Sequence, residues 1–170
     1  MGIKSTNRVE SYYNYFAESG KDAVSSAPQP VIATGGTTTA AGIAPGNGYR
    51  YHIFTSPGTF TVTGGGGWGK NLEYLVIAGG GSGGWGYGGG GGAGGLRTND
   101  PAATMWDGST PLTAGEYPAA LGSYSVSVGD GGGTRTSNGV GASGSPSYFG
   151  DPTSPGGRIT ASGGGYGGCG

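Results

Sequence analysis

The stretch Leu72-Glu73-Tyr74-Leu75-Val76-Ile77-Ala78-Gly79-Gly80-Gly81 decides the fold, because the most apolar run of the chain passes there directly into its longest glycine tract. The run is short, rich in β-branched and aromatic residues and bounded by glycine, which predicts a strand buried on both faces rather than a helix. Residues 79–95 are glycine apart from Ser82, Trp85, Tyr87 and Ala93. We therefore expect backbone hydrogen bonds and a few aromatic side chains to hold this tract.

The same joint between an apolar strand and glycine occurs at three places in the chain. Residues 31–36, 76–81 and 159–164 each pass from β-branched residues into two or more glycines. This recurrence predicts a β module whose strands feed glycine loops that are gathered at one place.

The composition excludes an ordinary globular enzyme. Glycine supplies 45 of the 170 residues and charged residues only 10%, which also excludes disorder driven by charge. Ordering a glycine costs about 0.5–1 kcal/mol more than ordering an alanine. The tracts therefore either stay mobile or are fixed by dense backbone hydrogen bonding and by neighbouring chains in an assembly.

Motifs associated with chemistry are weak in this chain. Residues 64–70 match the spacing of a phosphate-binding loop, but Asn71 replaces the required serine or threonine, and the context predicts a strand instead of a helix. Cys169 is the single cysteine and His52 the single histidine, and the loop aspartates are best interpreted as turn residues. We predict no catalytic residues, no bound metal and no cofactor.

Charge and hydropathy also limit the partners and the location. A net charge of −1 without a basic patch argues against nucleic acid as a partner. No run of 18 apolar residues and no signal peptide are recognisable, so we expect synthesis in a cytoplasm and no membrane span.

The first 20 residues contain the one predicted helix, over residues 8–19. Val9, Tyr12, Tyr13 and Phe16 share one face of it at the spacing i, i+3, i+4, i+7. Such a short helix is marginal by itself, so this aromatic stripe must dock either on the same chain or on a larger structure. A linker rich in proline, serine and threonine is expected over residues 21–48, with one strand near residues 31–33.

Residues 49–170 are expected to form the glycine-rich β domain. A β-hairpin is predicted over residues 49–63, followed by the buried strand at 72–78 and by short strands at 96–98, 124–128, 147–149 and 158–161. This pattern predicts a mainly β fold, a small antiparallel β-sandwich of jelly-roll type with long glycine-rich loops.

Three aromatic residues in loops are candidates for contact with a surface. Trp85, Tyr87 and Trp106 lie in glycine-rich or irregular segments, where flat rings bind sugars and other polar surfaces without charge. The alternative is that these rings fill gaps between backbones that have no side chains.

Several of these segments resemble, in order and spacing, the glycine-rich domain of bacteriophage tail-fibre and adhesin-like proteins. They include Tyr51-His52-Ile53-Phe54, the stretch at 72–81 and residues 159–168. The start of the chain, with Ser11-Tyr12-Tyr13-Asn14-Tyr15-Phe16, resembles virion structural proteins of phages that infect marine cyanobacteria. The resemblance implies a virion component, with polyglycine II helices as one form for the tracts.

On this resemblance we expect a non-enzymatic tail-fibre or fibre-attached protein. Its partners would be other virion proteins of the tail, the portal adaptor or the capsid, together with further copies of itself, with a trimer favoured. A glycan or protein of the host surface is the expected target of the loop aromatics. A capsid decoration or head-fibre protein is the first alternative, and a glycine-rich cell-wall or matrix protein is the second.

Overall fold

The computed structural model describes residues 31–46, 48–65, 71–100 and 116–170. Within these ranges the fold is mainly β, with antiparallel sheets and no helix, and hence with no helix able to cross a membrane. The predicted helix over residues 8–19 lies outside the described residues. The strands are β1 Ile32–Thr34, β2 Gly58–Gly64, β3 Asn71–Leu72, β4 Leu75–Ile77, β5 Leu96–Thr98, β6 Tyr117–Pro118, β7 Gly122–Ser127, β8 Ser147–Phe149 and β9 Ile159–Ala161.

The largest sheet is antiparallel and has the strand order β1-β2-β7-β8-β9. Its centre is the pair β2 and β7, in which Phe60 lies opposite Tyr124 and Thr61 opposite Ser123. β3 pairs with β6, and β4 pairs with β5, in two further sheets of two strands each. Strand β1 lies where the sequence predicted a strand, and it forms one edge of the large sheet.

An aromatic core joins the large sheet to the two small ones. The Phe149 ring lies 4.8 Å from the ring of Tyr117, 5.7 Å from that of Tyr124 and 6.0 Å from that of Phe60, measured between centroids. Tyr74 adds a further ring from the β3–β4 segment, 6.1 Å from Tyr117. Aromatic rings bury large apolar areas, so a few of them supply most of a core that is otherwise thin.

The prediction of a strand buried on both faces over residues 72–78 is wrong. The structure divides this stretch between β3 and β4, and it leaves Leu75 62% and Ile77 56% exposed. Tyr74 and Val76 alternate with these residues and pack against the core. The strand belongs to a two-stranded sheet, and no described element covers its other face, so β4 is buried on one side.

The predicted hairpin over residues 49–63 is also wrong. β2 forms as expected, but both of its edges are occupied by β1 and β7, which leaves no place for residues 49–54. These residues make one isolated bridge, from Tyr51 to Ile43. His52 is half-buried: its ring packs on Phe60 at 5.1 Å and its Nδ1 lies 2.7 Å from the Gly35 carbonyl oxygen.

Beyond the sheets, five glycine-rich segments form what we call the glycine bundle. We number them tract 1 (residues 78–85), tract 2 (88–95), tract 3 (129–133), tract 4 (139–145) and tract 5 (162–170). Tracts 1 and 2 follow β4 and precede β5, tracts 3 and 4 lie between β7 and β8, and tract 5 follows β9. Tracts 1, 3 and 5 run away from the sheets, and tracts 2 and 4 return to them.

The tracts are bonded to one another at intervals of three residues. Tracts 1 and 2 are joined by three hydrogen bonds, which run from Ala78 N to Gly95 O (3.0 Å), from Gly81 N to Gly92 O (2.8 Å) and from Gly84 N to Gly89 O (3.0 Å). Tracts 2 and 5 repeat the pattern, from Gly89 N to Gly168 O, from Gly92 N to Gly165 O and from Gly95 N to Ser162 O (2.7–2.9 Å). A β ladder would repeat every two residues, whereas three residues per turn is the period of polyproline II and polyglycine II.

Tract 1 is the centre of this bundle. It bonds to tract 4 from Gly79 N to Ser145 O, from Ser82 N to Ala142 O and from Trp85 N to Gly139 O, and its carbonyls accept bonds from Gly132 N, Gly164 N and Gly167 N. It therefore contacts all four other tracts. The stretch at residues 72–81, in which an apolar strand passes into glycine, therefore supplies the axis around which the bundle is arranged.

Candidate functional site at the end of the glycine bundle

The close approach of the tracts explains why so many positions are glycine. A Cβ added at any of fourteen positions in the bundle would lie less than 3.0 Å from a carbonyl oxygen of a neighbouring tract, and none of these fourteen has a positive φ. Ten of them form five pairs three residues apart: Gly81 and Gly84, Gly91 and Gly94, Gly129 and Gly132, Gly141 and Gly144, Gly164 and Gly167. Glycine is therefore required here by the space between backbones, as on the axis of collagen.

The bundle ends in what we call the tip, which consists of residues 85–88, 133–140 and 168–170. Residues 85–88 form the turn between tracts 1 and 2, closed by a hydrogen bond from Gly88 N to Trp85 O (3.2 Å), with Gly86 at a φ of 68°. Bonds from Trp85 N to Gly139 O (3.1 Å) and from Gly89 N to Gly168 O (2.9 Å) bring the three segments together. At about 3.1 Å per residue, tract 1 holds the tip about 20 Å from the sheets.

The side chains of the tip are few and they face solvent. Tyr87 is fully exposed, at 103% of its reference area, and Trp85 is 44% exposed. The loop between tracts 3 and 4 adds exposed hydroxyl, amide and guanidinium groups, on Thr134, Arg135, Thr136, Ser137 and Asn138. Exposed aromatic rings and exposed hydrogen-bonding groups therefore lie at the same end of the bundle.

Arg135 is the one charged side chain of the tip, and no aspartate or glutamate lies in its three segments. Within the described residues its guanidinium makes no ion pair, since the observed salt bridge joins Arg158 to Asp151. The tip therefore presents one cationic side chain, although the chain as a whole carries a net charge of −1.

A serine fixes the base of the tip. Ser82 Oγ donates a hydrogen bond to the Gly133 carbonyl oxygen and accepts one from Ala142 N, both at 2.8 Å. It thereby joins tracts 1, 3 and 4 where the loop carrying Arg135 begins. These bonds hold the base of the tip in one geometry.

The family model for a glycine-rich domain matches residues 55–170, a range that includes all five tracts and the tip. The chain belongs to this glycine-rich domain family. No curated protein and no solved structure matches it.

Of the residues predicted to contact a surface, the structure of the glycine-rich domain places Trp85 and Tyr87 together in one turn of the tip. The exposure of Tyr87 disagrees with a role in filling gaps between backbones. Trp106 lies outside the described residues, as do Val9, Tyr12, Tyr13 and Phe16, so their predicted roles stay predictions.

The sequence analysis missed tracts 3 and 4 and, with them, Arg135. Residues 129–145 contain many non-glycine residues, which hid their resemblance to the longer tract at 79–95. The signal that could have found them is the spacing of three in Gly129 and Gly132 and in Gly141 and Gly144. Of the three predicted joints, two meet in the bundle, whereas Gly35 and Gly36 lie against residues 53–60 of the sheet region.

A concave region with a volume of about 240 Å³ lies beside β7 and the loop that follows β8. The Asp151 carboxylate at its edge accepts a hydrogen bond from Ser125 Oγ (2.9 Å) and lies 3.6 Å from the Arg158 guanidinium. Arg158 also stacks on the Tyr148 ring at 4.4 Å. These groups are all engaged with one another, so the region is best explained as a structural support for the loop.

Two tyrosines beneath this region are buried hydrogen-bond donors. Tyr117 donates to the Gly157 carbonyl oxygen (3.0 Å) and Tyr124 donates to the Ala120 carbonyl oxygen (2.6 Å). Burial raises the pKa of both phenols above the ordinary value of 10.0, because the ionised form would lose its hydration. The phenols therefore serve the core in their neutral form.

Proposed function

We propose that this chain is a non-enzymatic structural protein of a bacteriophage particle, a tail-fibre or fibre-attached protein. Its N-terminal segment docks on the particle, and its glycine-rich domain carries the tip toward the host surface. It is made in the host cytoplasm and functions in the virion. The resemblance of its segments to tail-fibre and adhesin-like proteins supports this assignment.

The observation that carries the proposal is the construction of the glycine bundle. Five tracts bonded at three-residue intervals make a stiff rod that spends almost no side chains on its own interior. At its far end it displays two exposed aromatic rings and a polar loop. A rigid support that ends in a small contact surface suits attachment to another surface.

The docking stripe of Val9, Tyr12, Tyr13 and Phe16 completes the proposal at the other end of the chain. The partners of this stripe are virion proteins of the tail, the portal adaptor or the capsid. The protein forms a homo-oligomer, with a trimer favoured, as is common for fibres. Residues 21–31 lie between the stripe and β1, the first described strand of the large sheet, and let the two ends bind different partners.

The test is to locate and count the protein in purified particles of the phage that encodes it. Antibodies raised against the full chain should label the tail in immunogold micrographs, and quantitative mass spectrometry should give a small multiple of three copies per particle. A copy number that follows the capsomers, with label over the head, would instead favour the capsid decoration protein. Absence of the chain from washed particles would contradict both.

A further inference from the structure

We propose that the tip of the glycine bundle binds an anionic polysaccharide, whose sugar rings stack on Trp85 and Tyr87 and whose carboxylates pair with Arg135. The inference rests on the proposed function, since it names the chemical class of the host component that the tip contacts. It begins from three features of the tip: its rings, its charge and its size.

Both aromatic rings of the tip are exposed, Tyr87 more than Trp85. Tyr87 is fully exposed and Trp85 nearly half exposed, and within the described residues neither ring packs against another aromatic ring. Both project from a turn held by hydrogen bonds, so binding would order little that is not already ordered. Flat faces with a polar edge match the apolar face and hydroxyl rim of a sugar ring.

The positive charge of Arg135 favours an anionic sugar over a neutral one. Arg135 is the one charged side chain of the tip, and the three segments of the tip contain no aspartate or glutamate. A guanidinium binds a carboxylate through two parallel hydrogen bonds, a geometry that a neutral sugar does not use. The hydroxyls of Thr134, Thr136 and Ser137 beside it can bond to sugar hydroxyls.

The tip is small for an interface with a folded protein. A stable protein interface uses about 20–30 residues on each side, with a buried apolar centre. The tip has about fifteen residues, and their large apolar side chains are Trp85, Tyr87 and Val140. A polysaccharide needs less area, because each sugar contributes a small contact and the chain offers many copies of it.

Binding of the full-length protein to immobilised polygalacturonate by biolayer interferometry tests the inference, with carboxyl-reduced polygalacturonate as the matched neutral surface. We expect binding to polygalacturonate that weakens as salt is added, and at least tenfold weaker binding to the reduced polymer. Tyr87→Ala should weaken binding about two- to tenfold, the range of a single aromatic contact. Arg135→Ser should remove the preference for the charged polymer, whereas Arg135→Lys should retain part of it.

Tyr51→Ala is the matched control, because Tyr51 is 46% exposed but lies in the sheet region, away from the tip. It should bind as the unmodified protein does. Unaltered binding by Tyr87→Ala, or equal binding to polygalacturonate and its carboxyl-reduced form, would overturn the inference. So would a failure of the unmodified protein to bind both polygalacturonate and a second anionic polysaccharide, hyaluronate.

Adsorption of phage that carry the same substitutions separates this inference from the proposed function. If Tyr87→Ala lowers adsorption although the purified protein binds neither polygalacturonate nor hyaluronate, the proposed ligand class is wrong, but the tip still contacts the host. A host protein would then be the target. If the particles do not contain the chain, the proposed function fails, whatever the purified protein binds.

Discussion

The substitution Gly94→Ala, compared with Gly90→Ala in the same tract, should separate a glycine required by packing from one that is not. A Cβ at Gly94 would overlap the Ala78 carbonyl oxygen, and it would lie 2.9 Å from the Gly79 oxygen. A Cβ at Gly90 meets nothing within 4 Å, and Gly90 has no positive φ. The two substitutions are chemically identical and lie four residues apart, so their difference reports the space between tracts.

The expected difference follows from the bonds beside Gly94. To admit the new methyl group, tracts 1 and 2 must move apart, which would break the bonds from Ala78 N to Gly95 O and from Gly81 N to Gly92 O. Overpacking costs about 1–3 kcal/mol, and each lost bond about 0.5–1.5 kcal/mol. Gly94→Ala should therefore lower the free energy of unfolding by about 2–6 kcal/mol. Gly90→Ala should raise it by about 0.4–1 kcal/mol, because alanine restricts the unfolded chain.

Urea unfolding followed by far-UV circular dichroism measures both free energies. Domains of this kind are stable by about 5–15 kcal/mol, so the loss at Gly94 is large enough to move the midpoint clearly or to prevent folding. If Gly94→Ala does not fold, a lower temperature or Gly84→Ala gives a second measurement of the same effect. Free energies for Gly94→Ala and Gly90→Ala that agree within 0.5 kcal/mol would refute the close approach of the tracts.

Ser82→Ala should lower the free energy of unfolding by about 1–3 kcal/mol, because it removes two hydrogen bonds between tracts. The control Ser143→Ala, at an exposed position, should change this free energy by less than about 0.5 kcal/mol. Equal effects of the two substitutions in urea unfolding would contradict the role of Ser82. Because the pKa values of Tyr117 and Tyr124 are raised in the folded state, the unfolded chain releases these protons first, so stability should be fully present below about pH 10 and fall as the pH rises further. Urea midpoints measured from about pH 8 to about pH 11 test this, Tyr117→Phe should reduce the fall, and a midpoint that stays constant would refute it. Removing residues 2–20 should leave the circular dichroism spectrum and the urea midpoint unchanged but prevent incorporation into particles, and normal incorporation would refute the docking role.

The fold class could be predicted from the sequence because its local signals agree with one another. Residues 59–63 and 124–127 alternate apolar and polar side chains, and both stretches became strands at the centre of the large sheet. The mainly β, antiparallel fold is confirmed on this basis. Such alternation reports which face of a strand is covered, and this is the property that a sheet with one buried face requires.

The partners of the strands could not be predicted, since alternation does not say which strand lies beside which. Residues 49–54 and β2 are adjacent in the chain and look like a hairpin, yet β2 pairs with β7, more than 60 residues later. The exposure of Leu75 and Ile77 could not be predicted from the sequence either. An apolar run is the same in a strand covered on two sides and in one covered on a single side.

The candidate site could be predicted in part. Trp85 and Tyr87 were identified because a large side chain inside a glycine tract stands out in the sequence. Arg135 was missed because its place at the same end of the bundle depends on how tracts 3 and 4 fold back along tract 1, a long-range arrangement. Its local sequence, a polar loop with one cation, resembles many solvated loops.

The glycine tracts are ordered at a three-residue period, and amide hydrogen exchange in tract 2 is the decisive test of this order. Measured by NMR on the ¹⁵N-labelled chain, the amides of Gly89, Gly92 and Gly95 should be protected, because each donates to a carbonyl of tract 5. The amides of Gly90 and Ala93 donate to no backbone carbonyl within the described residues and should exchange quickly. Fast exchange at all five positions, or protection that alternates every two residues, would contradict the account.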